Sequence, residues 1–135
     1  MAENFEDYWP NDLTTVADPE PVVFLKELAR ALQEKTNGSV RAEVTSNTVE
    51  GTVYYSLYLK APHLGDYRFK ILYLSHPIFR DAGNPYPIKV QHSFDGQVTE
   101  ISDFDDFKQW LKPVLSSPQV KAVIENLKRQ NRVAL

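Results

Sequence analysis

The sequence predicts a two-layer α+β domain: an N-terminal helix, a five-stranded antiparallel meander and two C-terminal helices, in the order α-β-β-β-β-β-α-α. Three observations carry this. One helical-period apolar stripe precedes residue 37, alternating runs fill the middle of the chain, and two more helical stripes close it. Helices before and after a meander pack best on one face of the sheet.

The clearest element is Gly51 to Ala61. Val53, Tyr55, Leu57 and Leu59 alternate with Tyr54, Ser56, Tyr58 and Lys60. Strict alternation of Val, Leu and Tyr marks a half-buried strand, taken as central to the sheet. Before it, Phe24, Leu25, Leu28, Ala29 and Leu32 recur at helical spacing. Asp18 is the expected N-cap, the prolines at 19 and 21 suit a first turn, and Asn37-Gly38 is the stop. Val40, Ala42 and Val44 predict a first strand ending at Ser46-Asn47, with a connection from Thr48 to Gly51.

After a turn at residues 61–66, Tyr67 to Ser75 predicts a third strand. Tyr67, Phe69, Ile71 and Tyr73 are expected on one face and Arg68, Lys70, Leu72 and Leu74 on the other. Since the second face turns apolar, both sides of the sheet are expected to be covered at that end. Residues 76–87 form a proline-rich connection, neither regular helix nor central strand. Ile88 to Ser93 and Gln97 to Ile101 are the last strands, joined by a tight turn at Asp95-Gly96. Ser102-Asp103 caps the next helix, and Phe104, Phe107, Leu111 and Val114 form its stripe. Pro113 is expected to kink or stop it near Lys112. Ser116-Ser117-Pro118 opens the last helix, with Val120, Val123, Ile124 and Leu127 on its apolar side.

Two units are expected: an acidic and aromatic arm over 1–17 and a single domain over 18–135. In the arm, Phe5, Tyr8 and Trp9 fall on one side of a helical turn that Pro10 ends. Such an arm either folds back over its own domain or docks on another protein.

The chain has no cysteine, so thiolate catalysis, thiolate metal sites and disulfides are excluded. A cysteine-free chain with an acidic start and no run approaching the ~18 apolar residues of a membrane span reads as cytoplasmic, with no membrane partner. Residues 1–67 carry 11 acidic and 5 basic side chains, and residues 68–135 carry 7 and 10. Without a dense basic stripe, no nucleic-acid partner is expected.

Five isolated glycines, at 38, 51, 65, 83 and 96, leave none for a phosphate loop, so no nucleotide cofactor is expected. His63, His76 and His92 show no metal-ligand spacing, and no metal site is expected. Ser75 and His76 are sequence neighbours, but a strand points adjacent side chains to opposite faces, and no nucleophile elbow occurs. Asp103, Asp105 and Asp106 suit a helix dipole better than acid–base work.

The remaining signal is aromatic. Tyr54 and Tyr58 share the non-core face of the central strand, where they either pack against neighbours or form a contact surface. Phe79, Arg80 and Tyr86 add hot-spot residue types on the 76–87 connection. Helix, meander, the segment Asn84-Pro85-Tyr86-Pro87, Asp95-Gly96 and closing helices are similar in order to ubiquitin-conjugating domains and their catalytically inactive adaptor relatives, over roughly 18–130. Without cysteine, that resemblance implies no thioester chemistry. Small immunity proteins and secretion chaperones are also compact α+β designs, and no family is assigned.

The leading expectation is a non-enzymatic domain that binds another protein, of adaptor, chaperone or immunity-like kind. The alternative is a small-ligand binder or hydrolase-type enzyme with a histidine–carboxylate pocket. A third is self-association as a homodimer through an exposed strand edge.

Overall fold

The computed structural model of the chain describes residues 4–11, 13, 16–79 and 84–134. Its elements are α1 (Glu20–Lys35), β1 (Arg41–Val49), β2 (Thr52–Lys60), β3 (Arg68–Pro77), β4 (Ile88–His92), β5 (Thr99–Ile101), α2 (Phe104–Leu115) and α3 (Pro118–Val133). The five strands form one antiparallel sheet in the order β1-β2-β3-β4-β5. This is the α+β meander that the periodicity predicts.

All three helices bury their stripes on one face. Leu25 of α1, Phe107, Leu111 and Val114 of α2, and Val120 and Leu127 of α3 join one cluster with Leu57, Leu59, Leu72, Leu74, Ile88, Val90 and Ile101. α1 packs against β1 and touches α2. At its C-terminal end Thr36 Oγ1 bonds the Val40 carbonyl at 2.9 Å, while Phe24 near its start meets the Phe104 ring edge-on at 5.3 Å.

Local chemistry departs from the sequence reading at five points. Asp18 does not cap α1. The chain enters the helix through Pro19, and Asp18 pairs instead with Lys26 at 3.0 Å. β1 runs on to Val49, and Glu50 and Gly51 alone make the hairpin turn, both at positive φ (48° and 79°). Positive φ at both positions is what a two-residue turn on twisted strands requires.

The third departure is in β3. The register with β2 shifts between Leu57 and Tyr58: Leu57 faces Leu72, but Tyr58 faces Lys70. Ile71 is the extra residue of a β-bulge, which resets the alternation. Ile71, Leu72 and Leu74 are all fully buried, on the helix side with Phe69. Tyr73 and Ser75 turn outward, opposite Ser56 and Tyr54. The expected second apolar face therefore does not exist. The strand also extends past Ser75, so His76, expected in the 76–87 connection, lies in it, buried and opposite Val53.

The fourth is between β4 and β5. Asp95-Gly96 is not a two-residue hairpin, because pairing stops at Val90–Thr99. Asp95 instead shapes a longer bend, its carboxylate accepting the Gln97 N–H at 3.0 Å. The fifth is Pro113, which α2 incorporates before ending at Leu115. So close to the C-terminus proline removes one hydrogen bond, and buried Leu111 and Val114 on either side offset that loss.

Both later helices start on the expected side-chain caps. Asp103 accepts the Asp106 N–H at 2.8 Å, and Ser117 accepts the Val120 N–H at 3.2 Å.

Candidate functional site

No described helix packs on the outer face of the sheet. The strand pairings place on it Arg41, Glu43, Thr45 and Asn47 from β1, Tyr54, Ser56, Tyr58 and Lys60 from β2, Arg68, Lys70, Tyr73 and Ser75 from β3, Lys89 and Gln91 from β4, and Glu100 from β5. Its centre is aromatic. Tyr54 and Tyr73 lie 5.6 Å apart, tilted at 59°. Ser56 and Ser75, on the same strands as these rings, are only 8% and 4% exposed on a face that no described helix covers. Burial, and then the neighbouring Tyr54, hold the Tyr73 phenol above its ordinary pKa.

Tyr58 is fixed differently. The Arg68 guanidinium sits 4.1 Å from its ring centre, and the Lys70 ammonium 5.6 Å away. Glu43 holds this arrangement, bonding Lys60 at 2.8 Å and Arg68 at 2.9 Å. The hydrogen bond from Lys60, and the charges of Lys60 and Arg68, keep the Glu43 carboxyl below the usual range. An arginine pinned over a tyrosine by a carboxylate is a pre-ordered cation–π pair. Around the tyrosines, Arg41, Lys60, Arg68, Lys70 and Lys89 outnumber Glu43 and Glu100, so the face is basic.

Tyr54 and Tyr58 thus share one surface, joined by Tyr73, which the sequence reading put on the opposite face. Its signal was present: Leu72 and Leu74 are apolar out of phase with Phe69, which is what a bulge does to an alternating strand.

The residues of the connecting loop diverge. Phe79 is 92% exposed, and Arg80 lies outside the described residues. Tyr86, preceding a cis bond to Pro87, continues the inward phase of Ile88 and Val90 and packs against the core. Burial, and then the charges of Glu20 and Asp103, push its pKa to about 12. Tyr86 therefore does not lie on the tyrosine face. In the arm, Phe5–Tyr8 is a 3₁₀ turn capped by Asn4, whose side chain accepts the Glu6 N–H at 3.1 Å. Its aromatics stay outside the core: Phe5, Tyr8 and Trp9 are 72%, 69% and 69% exposed.

The three histidines do not converge. His63 sits in a 3₁₀ turn, Pro62–Leu64, where its backbone N–H donates to Asn131 Oδ1 at 2.8 Å. His76 is buried beside Tyr55, with Nδ1 2.9 Å from the Pro77 carbonyl. His92 pairs opposite Leu72, four residues from His76 along β3, or about 13 Å at the usual strand rise. His92 alone meets a carboxylate among the described residues, its Nε2 3.9 Å from Asp95. With Trp110 and Gln109 the pair lines a cleft of about 540 Å³. The hydroxyl in that cleft, Ser117, is engaged as the α3 cap. No group of three or more His, Asp or Glu among the described residues could hold a metal ion. No described helix is long and apolar enough to cross a membrane.

No family model, no curated protein and no solved structure matches the chain.

Proposed function

We propose that this chain is a non-enzymatic, cytoplasmic protein-binding domain whose outer sheet face takes an acidic segment of another protein. One observation supports this above the rest: a tyrosine cluster, Tyr54, Tyr58 and Tyr73, on a sheet face that no described helix covers, bordered by basic side chains. Tyrosine offers apolar area and a polar tip at low entropic cost, which suits it to protein interfaces. The basic border favours acidic partners through charge complementarity. The lack of cysteine fits a reducing compartment.

The test places a photo-crosslinking phenylalanine analogue at Tyr58 and, separately, at Arg129 on α3, in the native cell. Capture of one partner in stoichiometric yield from position 58 but not 129 is expected. Binding should weaken on Tyr58→Ala, survive Tyr58→Phe and fall as salt rises. If Tyr54→Ala and Tyr58→Ala fold and hold the partner unchanged, the surface is wrong.

A second reading, small-ligand binding, draws on the His92–Asp95–Trp110 cleft. A fragment screen read by Trp110 perturbation, with Trp110→Leu as control, separates it from the first.

A further inference from the structure

β1 is the long edge of the sheet, and no described strand pairs with its outer side. Exposed edges invite pairing with another chain, and proteins blunt them with lysine, proline, bulges or short strands. β5, the other edge, has three residues. β1 has nine, and Val44-Thr45-Ser46-Asn47-Thr48-Val49 contains neither charge nor proline. Its register with β2 runs without a shift, and Ser46 to Val49 are exposed.

The hairpin turn decides which backbone groups this edge offers. A two-residue turn makes Val49 and Thr52 a hydrogen-bonded pair. The Ile78 N–H, reaching the Gly51 carbonyl at 2.8 Å, agrees: residue 51 faces β3, so residue 52 faces β1. Counting back by twos, Val49, Asn47, Thr45, Glu43 and Arg41 bond toward β2. Thr48, Ser46, Val44 and Ala42 turn their N–H and C=O groups to the open edge.

We propose that two copies of this chain pair antiparallel along β1, about a twofold axis through Thr45, joining two sheets into one. In this register Val44 lies opposite Ser46 of the second copy, and Ala42 opposite Thr48 of the second copy. Every outward-pointing residue then exchanges two N–H···O bonds. Thr45 meets its own mate in a non-hydrogen-bonded pair. Glu43 faces Asn47 and Arg41 faces Val49, so no like charges oppose each other. Centring on Ser46 instead sets Ala42 against turn residue Glu50 and loses bonds. The helix layer permits the pairing. α1 packs against β1, and Ala42 and Val44 lie against the core, whereas the inward-facing Ser46 and Thr48 are left exposed. The twofold brings the α1 C-terminus of each copy beside those residues of the other.

Because the chain has no cysteine, one introduced thiol reports one position. Thr45→Cys is expected to give a disulfide-linked dimer under mild oxidation, since a non-hydrogen-bonded pair sets Cα atoms about 4.5 Å apart, within disulfide range. Ser46→Cys should link roughly tenfold less, because its like residue is not opposite it. Arg41→Cys and Val49→Cys should link efficiently only when combined. In light scattering the unmodified protein is expected at twice the chain mass. Ser46→Pro, which removes an outward N–H and leaves the β2 ladder intact, should return it to the chain mass. Chain mass for the unmodified protein at submillimolar concentration would overturn the proposal. So would Ser46→Cys linking as readily as Thr45→Cys, a dimer that survives Ser46→Pro, or a different protein's strand found on this edge.

Discussion

Asn131 is the most informative single position for the architecture. It lies on α3, is 7% exposed, and its Oδ1 accepts the backbone N–H of His63 at 2.8 Å. That bond ties α3 to the 3₁₀ turn between β2 and β3, across 68 residues of sequence. Asn131→Ala removes the acceptor and leaves the donor in place. An unsatisfied buried donor costs about 1–3 kcal/mol, and a part-buried site falls near the lower end, at about 1.5 kcal/mol. With a urea m-value of about 1.5 kcal/mol/M, the midpoint should fall by about 1 M at unchanged m. His63→Ala is the control: its side chain is exposed and its N–H is retained, so a change within about 0.5 kcal/mol is expected. Hydrogen exchange gives a local readout, because the His63 amide should lose protection only in Asn131→Ala. If Asn131→Ala costs no more than His63→Ala, the bond does not hold the turn and the argument fails.

Four further outcomes follow from the same structure. Phe107, with no exposed surface, should cost about 3–5 kcal/mol when truncated to Ala, measured by chemical denaturation. Asp103→Ala should destabilise by about 1 kcal/mol through the lost α2 cap, and Asp103→Asn by much less. The Tyr86 pKa is raised to about 12, so the unfolded chain ionises first, near 10. Its stabilising effect is whole below pH ~10 and is lost as pH rises toward 12, and Tyr86→Phe should flatten that part of the stability curve. Glu43 is shifted the other way, chiefly by Lys60. Its contribution is present above the unfolded carboxyl pKa and lost as pH falls, so Glu43→Gln should remove a small acid-limb slope, under about 1 kcal/mol for so exposed a group.

Residue patterns carried most of the architecture. The stripe of Phe107, Leu111 and Val114 is legible because a helix sorts side chains by position alone, and all three are buried. The alternation of β2 is legible for the same reason, with Val53, Leu57 and Leu59 buried and Tyr54 and Tyr58 on the outer face. The candidate site was half visible. Tyr54 and Tyr58 share a strand, whereas Tyr73 reaches them only through the bulge at Ile71. Tyr86 carried the right residue type for a contact surface, but its phase with Ile88 turns it inward.

Sequence alone therefore determined the element types, their order, the apolar face of each helix and the absence of thiol chemistry. These depend on local periodicity, capping and residue identity. The tertiary structure decided the phase of β3, the face that no described helix covers, the Glu43–Arg68–Tyr58 arrangement and the Asn131–His63 tie. Each of these joins residues far apart in the chain through strand register or helix docking. That geometry is set by how the whole core packs, and no local window of sequence contains it.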